Sequence, residues 1–492
     1  MWSSEISGPD RKIEPAGILN LPPFFIKGDT MQAALRVFRD IKDRGVVIVK
    51  RLTCDTLTPV QTYWALVGEG QGFLLESIPG AYSFIGRFSD ADVITIHNEE
   101  DPWAKIPLAG SKLSFDQNGL PPFIGGYVGY LGYDMVRGIE RLPRPKKASG
   151  FPDTILGRAD TLIVFDHLNQ SVSLIHTIVS PCISEDDALI KAKEAFSQIE
   201  DDLLGKQSMP AARVPEKCTV KSVSIEDKDF IEAVNKAKSY IRDGDIMQAV
   251  LSRRLQLHTS CDPFDTYRRL RQINPSPYLF YLRLSDITLV GSSPEVMVKL
   301  KVDTITSLPI AGTRPRGKSY HHDERLAAEL MGDEKERAEH LMLLDLARND
   351  VGRVSQPGTV KIVSREEVKF YSHVMHIVSC VEGKKKEALS NIDVLKACFP
   401  AGTVSGAPKV RAMEIIDELE GMCRGPYAGA VGYLSFNGDV DTGIAIRTIF
   451  IRDKEVFVQA GAGIVWDSQP ENEIAEIDNK LRALSSALGG IA

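Results

Sequence analysis

The chain has 492 residues, of which 43% are hydrophobic and 25% are charged, a composition typical of a globular protein with a large core. Its net charge is -7 and its basic residues are scattered, which argues against nucleic acid or an anionic membrane as the main partner. No apolar run has the length of a membrane span or signal peptide, and the seven cysteines, an odd number without a CxxC pair, favour free thiols in a reducing cytoplasm.

The first part of the chain is predicted to consist mainly of strands. A helix is expected over residues 29–45, a strand at 46–50, and a second helix that begins with Thr58 and Pro59, a good cap followed by a good first residue. A further helix of mixed charge is expected near residues 184–204. Between the helices, apolar stretches predict strands at residues 73–77, 82–88, 92–98, 125–135, 161–167 and 171–179.

A change in composition divides the chain. Residues 205–222 contain two prolines and show little periodicity, so we predict a linker there, with residues 1–204 as an N-terminal region and residues 223–492 as a second domain. The second domain ends with a helix that carries Glu476. It opens with an amphipathic helix whose apolar face is formed by Phe230, Val234, Ala237 and Ile241.

Two predicted helices carry glutamates three positions apart. One contains Glu336 and Glu339, and the other contains Glu473 and Glu476. Residues at this spacing share a helix face, so four carboxylates converge if the two faces meet. Such an all-oxygen cluster suits a hard divalent ion, Mg²⁺ above all. The alternative for either pair alone is an ordinary solvated helix face.

Three other segments contain candidate ligand-binding residues. Gly312 and Thr313 follow a short apolar strand, where their backbone N–H groups either face an anion or form a plain Gly-Pro turn. Arg447 is predicted in the middle of a buried strand, as a carboxylate binder or as the partner of an internal Glu. Gly461 and Gly463 permit close ligand approach, but their segment lacks the full dinucleotide or P-loop pattern.

Taken together, these segments resemble the motifs of the chorismate-utilising enzymes. In order along residues 225–488 they read SSPEVMVK, PIAGTRPRG, EHLMLLDLARNDVGRV, FYSHVMHIVS, AGTVSGAPKVRAMEII, GYLSFNG, GIAIRTIF and QAGAGIVWDSQPENEIAEIDNK. FLLES, YSFIG and GGYVGYLGYD resemble the N-terminal region of component I of anthranilate synthase. The resemblance implies an α+β fold with a large two-sheet β-sandwich core, helices packed outside, and the N-terminal and C-terminal halves interleaved.

The resemblance also implies a metal site and a substrate site. Glu339 and Glu476 align with Mg²⁺ ligands, with Glu336 and Glu473 in support, directly or through water, and the metal would hold the ring carboxylate of chorismate. Among the substrate positions, Tyr427 and Arg447 face the enolpyruvyl carboxylate, and Lys480 lies near the bound acid. The full set of implied substrate-binding residues is Gly312, Thr313, Thr403, Tyr427, Arg447, Gly461, Ala462, Gly463 and Lys480.

Catalytic roles are implied by the chemistry of chorismate. The C4 hydroxyl is a poor leaving group and needs a general acid, for which Glu295 aligns; neighbouring carboxylates should raise its pKa. His376 aligns with the residue that assists the later loss of pyruvate, although a lone His beside apolar residues is otherwise often a core group.

Two positions distinguish the subfamilies. Isochorismate and salicylate synthases carry a lysine base where this chain has Gln248, so water addition is disfavoured. Aminodeoxychorismate synthases usually carry a lysine nucleophile where this chain has Ala311, so ammonia should attack C2 directly. This combination favours an anthranilate synthase type, a lyase of tryptophan biosynthesis. The alternatives are an aminodeoxychorismate synthase component I and a tryptophan-responsive binding protein without catalysis.

The resemblance further implies an inhibitor and a partner subunit. Ser77, Pro277, Tyr278 and Leu279 match tryptophan-binding elements, which would make residues 1–204 a regulatory region; the alternative is a proline-rich turn packed on a strand. No Cys nucleophile in a Gly-rich elbow follows the last helix. We therefore expect a separate glutamine amidotransferase subunit in a heterotetramer, with free ammonium supporting activity by the chain alone.

Overall fold

The computed structural model describes residues 35–491 except residues 43, 53–55, 79, 98–100, 108–112, 116–118, 182, 206–208, 214, 372–373 and 453–454. Its elements are numbered here in chain order. Before residue 205 they are β1 Leu35–Arg39, β2 Gly45–Leu52, α1 Pro59–Leu66, β3 Gly72–Glu76, β4 Tyr82–Arg87, β5 Val93–Ile96, β6 Gly126–Leu131, β7 Thr154–Ala159, β8 Thr161–Asp166, β9 Ser171–Val179 and α2 Glu185–Leu204.

The elements after that point contain most of the long helices. They are β10 Thr219–Val223, α3 Asp227–Arg242, β11 Gln248–His258, α4 Pro263–Ile273, β12 Tyr278–Leu284, β13 Ile287–Ser293, β14 Val296–Lys301, β15 Thr304–Ser307, β16 Ile310–Pro315, α5 Tyr320–Gly332, α6 Glu334–Val354, β17 Lys361–Phe370, β18 Val374–Lys384, α7 Asn391–Cys398, β19 Gly406–Ala407, α8 Lys409–Glu420, β20 Ala430–Ser435, β21 Val440–Ile444, β22 Thr448–Arg452, β23 Glu455–Ile464 and α9 Pro470–Ala487.

The strands form two antiparallel sheets that both contain strands from the two halves of the chain. The larger sheet has the order β1-β2-β9-β8-β4-β3-β12-β13-β22-β23-β11-β10, with β19 beside β11. The smaller sheet has the order β16-β18-β15-β14-β21-β20-β6-β7-β5, with β17 beside β18. β3 pairs with β12 and β6 with β20, so the predicted α+β fold with interleaved halves is confirmed. The linker at 205–222 as a domain boundary remains a prediction.

Two apolar cores follow from the alternation of side chains along the strands. Phe73 and Phe280 belong to the core between the sheets. Their neighbours Leu74 and Tyr281 point to the opposite face of the larger sheet, where they pack with apolar residues of α2, α3, α4, α8 and α9. The larger sheet is therefore buried on both faces, which explains its nearly continuous apolar runs.

The helix predicted over residues 29–45 is wrong for the described part of that range. β1 lies there instead and pairs with β2. Asp40 forms the turn between them, because its carboxylate accepts hydrogen bonds from the backbone N–H groups of Lys42 (3.0 Å) and Arg44 (3.1 Å). Sheet pairing thus outweighs helix propensity here. Residues 29–34 of the prediction lie outside the described residues.

The other helices predicted before the linker are confirmed. Thr58 caps α1, since its hydroxyl accepts the backbone N–H of Gln61, and Ser184 caps α2 in the same way. The predicted strands correspond to β2, β3, β4, β5, β6, β8 and β9. The sequence analysis does not predict β7, a short strand that contains Gly157 and Arg158.

Two connections carry the chain between the sheets at the same place. The first crossover, residues 294–295, joins β13 of the larger sheet to β14 of the smaller sheet. The second crossover, residues 445–447, joins β21 of the smaller sheet to β22 of the larger sheet. The backbone N–H of Ile444 donates to the carbonyl oxygen of Glu295 at 3.0 Å. The two crossovers therefore lie side by side at the seam between the sheets.

The second crossover corrects the strand predicted through Arg447. Arg447 has a φ of 50°, in the left-handed region, and its carbonyl oxygen accepts a hydrogen bond from the backbone N–H of Ser292 at 3.1 Å. The apolar sequence is continuous because β21 and β22 are both buried, but the chain changes sheets between them. The prediction of one uninterrupted strand is wrong.

Candidate active site

A cavity of about 880 Å³ lies at the seam, a volume suited to a small metabolite. Both crossovers, β11, β16, β23, α6 and α9 contribute to its walls. The sequence-predicted residues that line it are Gln248, Glu295, Gly312, Thr313, Glu336, Glu339, His376, Thr403, Tyr427, Arg447, Gly461, Gly463, Glu473, Glu476 and Lys480, together with Pro277.

Ala462 is the predicted substrate-binding residue that does not line this cavity. Residues alternate along β23, so its side chain points away from the face that carries Gly461 and Gly463. It is fully buried in the core on the helix-covered side of the larger sheet. The side chain of Ala462 therefore does not face the cavity, and substrate binding at this position remains a prediction.

The two glutamate pairs reach the cavity from different helices. Glu336 and Glu339 lie in the first two turns of α6, and Glu473 and Glu476 lie near the start of α9. Burial raises the pKa of Glu339, and the charges of Glu336 and Glu476 raise it further. Burial also raises the pKa of Glu473, and the negative charge of Glu476 raises it further. The four carboxylates therefore share one electrostatic environment.

Basic side chains partner two of these glutamates. An Arg314 nitrogen lies 3.0 Å from Glu336, and Lys480 Nζ lies 2.7 Å from Glu476. In the part of the chain that the structure describes, no three His, Cys, Asp or Glu side chains are close enough together to hold a metal ion. The chemistry of the four glutamates nevertheless fits Mg²⁺, because all four candidate ligands are carboxylates whose mutual repulsion a divalent cation would relieve.

Glu295 occupies the first crossover and faces the cavity. Burial raises the pKa of its carboxyl to about 7, and the nearby Thr403 hydroxyl and Lys480 ammonium act in the opposite direction. At neutral pH a large fraction of this carboxyl is protonated. Glu295 is therefore able to donate a proton to a bound ligand.

The orientation of His376 is set by β16. Its Nδ1 lies 3.0 Å from the carbonyl oxygen of Gly312 and 3.0 Å from Thr313 Oγ1. A carbonyl oxygen only accepts, so Nδ1 carries the hydrogen and Nε2 is unprotonated in the neutral ring. Burial lowers the pKa of His376, and the positive charge of Arg447 lowers it further. The hydrogen bond to the Gly312 carbonyl acts in the opposite direction. The ring is therefore a neutral base near pH 7.

Arg447 brings a positive charge to the second crossover. Among the described residues, its guanidinium has no ion pair or hydrogen-bond partner. Burial lowers its pKa, which the neighbouring Tyr427 and Glu476 oppose. A partly buried cation without an internal partner, facing a cavity, favours an external carboxylate. An internal Glu paired with Arg447, the alternative expected from the sequence, is not found among the described residues.

Gln248 and Ala311, the two positions that the sequence analysis uses to distinguish the subfamilies, both line the cavity. Gln248 Nε2 donates to a Glu339 oxygen at 3.1 Å. A Cβ atom at Gly463 would lie 2.5 Å from this Nε2, so the glycine makes room for the Gln248 side chain. Ala311 lines the cavity beside Gly312 and offers no nucleophile.

The predicted tryptophan-binding residues meet at the pairing of β3 with β12. Glu76 pairs with Leu279, so Ser77 follows next to Tyr278. Leu279 packs in the core, whereas Pro277 lines the cavity. The structure thus brings residues from the two halves together beside the cavity, and tryptophan binding remains a prediction.

The sequence analysis missed several residues of the cavity wall. Tyr371 packs edge-on against His376 with ring centroids 5.6 Å apart. Val404 and Gln459 also line the cavity. Gln459 lies two positions before Gly461 on β23. Residues two positions apart on a strand share a face, so this spacing could have identified Gln459 from the sequence.

The sequence matches the family of chorismate binding enzymes over residues 71–486. The chain belongs to this family, and the cavity described above is its candidate active site. Among its relatives, anthranilate synthase component 1 of Acetivibrio thermocellus is 42% identical over 477 residues, which cover 91% of this chain and 96% of that protein. Anthranilate synthase component 1 of Acinetobacter calcoaceticus is 42% identical over 491 residues, which cover 92% and 98%.

A solved structure agrees with these relatives. Anthranilate synthase component I from Streptococcus pneumoniae TIGR4 superimposes with a TM-score of 0.73 at 35% identity. The alignment covers 87% of this chain and 97% of the other. Fold and sequence therefore point to the same branch of the family.

Proposed function

We propose that this chain is the large subunit of an anthranilate synthase, which converts chorismate and ammonia to anthranilate, pyruvate and water. The observation that carries the proposal is one cavity lined by two glutamate pairs, a carboxyl with a pKa of about 7, a neutral His376 and an unpaired Arg447. A diacid such as chorismate needs a cationic partner for each carboxylate, and the cavity offers Arg447 at one place and a cation-binding glutamate cluster at another.

Substrate placement follows from these charges. Arg447 binds the enolpyruvyl carboxylate together with the hydroxyl of Tyr427, whose pKa is raised by burial so that it stays a donor. Glu339 and Glu476 would hold Mg²⁺, with Glu336 and Glu473 in support, and the ion would supply positive charge to the ring carboxylate. Lys480, which donates to the Gly461 carbonyl at 2.7 Å, keeps a further positive charge beside this end.

The reaction divides into amination and elimination. Glu295 donates a proton to the departing C4 hydroxyl while ammonia forms a bond to C2, which gives aminodeoxyisochorismate and water. Nε2 of His376 then accepts the C2 proton as the ether bond to the enolpyruvyl group breaks. The ring becomes aromatic, and the released enolpyruvate takes up a proton to become pyruvate.

The side chains at Gln248 and Ala311 support anthranilate as the product. A lysine base is absent at the first position and a lysine nucleophile at the second, which disfavours water addition and a covalent adduct. The test is an assay of the purified chain with chorismate, ammonium and Mg²⁺. Anthranilate fluorescence without an added lyase supports the proposal, a product that needs a lyase indicates an aminodeoxychorismate synthase, and no turnover indicates a binding protein.

We also infer a separate glutamine amidotransferase subunit as the source of ammonia, in a heterotetramer. The relatives are named component 1, which implies a further component. Ammonium should support turnover by the isolated chain, whereas glutamine should do so only after the partner is added. Gel filtration of the mixture tests the assembly, and full glutamine-dependent turnover by this chain alone would exclude it.

Tryptophan is the proposed feedback inhibitor, bound where β3 meets β12. Support comes from the position of Ser77 beside Tyr278 and from Pro277, which connects that region to the cavity wall. A ligand there contacts both halves of the chain and is able to act on the substrate site.

We propose a cytoplasmic location on the basis of the cysteines. No helix among the described residues is long and apolar enough to cross a membrane. The five cysteines that the structure describes, Cys218, Cys261, Cys380, Cys398 and Cys423, are free thiols, as expected in a reducing compartment.

A further inference from the structure

A fully buried arginine lies directly behind one wall of the cavity. Arg424 lies three positions before Tyr427 in the chain. It donates hydrogen bonds to the carbonyl oxygens of Val404 (2.7 Å) and Val250 (2.6 Å). Its guanidinium also lies 5.7 Å from the centre of the Tyr427 ring. Val404, Val250 and Tyr427 all line the cavity, but Arg424 itself does not. One side chain therefore fixes three wall residues from different segments.

The charge of Arg424 is compensated by Glu420, one turn earlier on α8. Two guanidinium nitrogens of Arg424 donate to the Glu420 carboxylate at 2.9 and 2.6 Å. This two-point hydrogen bonding fixes the plane of the guanidinium. It therefore also fixes the direction of the remaining N–H donors. The pair costs desolvation energy and is not explained by stability alone.

Glu420 extends the same network to a fourth wall residue. One of its oxygens accepts both the backbone N–H (2.7 Å) and the hydroxyl (2.9 Å) of Ser252. The Ser252 oxygen in turn accepts from Gln459 Nε2 at 2.8 Å. The only hydroxyl hydrogen is directed to Glu420, so Ser252 can only accept from Gln459 and thereby fixes the orientation of its amide.

We propose that Arg424 and Glu420 are a positioning pair that sets the enolpyruvyl end of the substrate cavity. Neither residue touches the substrate. They act by holding Tyr427, the backbone at Val404 and the amide of Gln459 in one arrangement. That the enolpyruvyl group occupies this end rests on the proposed function, which places its carboxylate on Arg447 and Tyr427.

The decisive variant is Arg424→Lys. It keeps the charge opposite Glu420 but lacks the planar guanidinium, so it cannot make all the hydrogen bonds of Arg424 to the wall carbonyls or its cation–π contact with Tyr427. We expect the KM for chorismate to rise about tenfold, with the KM for ammonium and the Mg²⁺ requirement unchanged, because the glutamate cluster lies elsewhere. The matched control is Arg137→Lys, which alters a similar buried fork to Asp417 (2.7 and 2.9 Å) that does not line the cavity.

A double-mutant cycle separates positioning from general loss of structure. Arg424→Lys combined with Tyr427→Phe should be less than additive in kcat/KM, whereas Arg424→Lys combined with Glu339→Gln should be additive. If Arg424→Lys does not fold, Ser252→Ala, which removes only one branch of the network, should raise the KM for chorismate in the same direction by a smaller factor.

The outcomes distinguish this inference from the proposed function. A wild-type chain that makes no anthranilate from chorismate and ammonium overturns the proposed function. A wild-type chain that is active, with an unchanged chorismate KM in Arg424→Lys and in Ser252→Ala, overturns the positioning pair. Equal rises in the KM values for chorismate and ammonium, or the same rise in Arg137→Lys, also overturn it, since they indicate a general structural effect.

Discussion

The backbone N–H of Ile444, the last residue of β21, donates to the carbonyl oxygen of Glu295 at 3.0 Å, which joins the first crossover to the residue directly before the second. Because of this bond, the candidate acid Glu295 and the candidate substrate anchor Arg447 lie on neighbouring connections between the same two sheets. Their proposed functions are nevertheless separable, since Glu295 is proposed to donate a proton and Arg447 to bind a carboxylate. The following predictions test these functions individually.

Replacement of Glu295 should affect turnover more than binding. We expect Glu295→Gln to lower kcat by about 10²–10⁴-fold with little change in the KM for chorismate, because an amide cannot donate the required proton. In the wild type, kcat measured at constant free ammonia should fall as the pH rises through about 7, since the protonated carboxyl is lost above its pKa. An unchanged kcat in the variant would exclude Glu295 as the acid.

The glutamate cluster should determine the metal requirement. Glu339→Gln should weaken Mg²⁺ binding by more than about tenfold, and Glu473→Gln should weaken it less, because Glu473 is a supporting ligand. Chelation should abolish turnover and added Mg²⁺ should restore it. Calorimetric titration with Mg²⁺ gives the affinities. Glu334→Gln is the control, because Glu334 is exposed at the start of α6 and does not line the cavity.

Removal of the Arg447 charge should weaken substrate binding without unfolding the protein. We expect Arg447→Met to raise the KM for chorismate by roughly 10–100-fold, the value of one or two charged hydrogen bonds. Because no carboxylate among the described residues pairs with Arg447, the thermal midpoint should not fall. Arg452→Met, at the other end of β22 and outside the cavity, should leave KM unchanged. A large loss of stability in Arg447→Met would instead indicate an internal structural role.

A larger side chain at Ser77 should relieve tryptophan inhibition. Ser77→Phe adds bulk where β3 meets β12, while uninhibited kcat and KM should stay near the wild-type values because Ser77 does not line the cavity. Inhibition curves with increasing tryptophan measure the effect. The control is Ser89→Phe, at an exposed position in the same part of the chain. The same inhibition in Ser77→Phe and in the wild type would exclude this site.

The sequence was sufficient to predict most of the elements and the cavity residues. The Thr58 cap identified α1, and an apolar face at helical spacing identified α3. The resemblance to a family supplied the convergence of the two glutamate pairs, which no local pattern contains. Their helices are separated by more than a hundred residues in the chain and meet only through the tertiary fold.

The errors have physical causes that local patterns do not express. The sequence at β1 has an acceptable helical pattern, but the Asp40 turn and pairing with β2 decide its structure. The break at Arg447 was hidden because the strands on both sides are equally apolar. Arg424 was missed since its partners Val404 and Val250 contribute backbone carbonyl oxygens, which carry no side-chain signal.

The spacing between the main chain at Glu295 and the main chain at Arg447 is held by backbone hydrogen bonds, from Ile444 to Glu295 and from Ser292 to Arg447. It is therefore insensitive to substitutions elsewhere in the cavity wall. β11, β16 and β23 instead contribute side chains from regular strands to the cavity, among them those of Gln248 and Ala311. The distance between these two backbone positions and the side chains of the cavity wall are therefore determined by different parts of the chain.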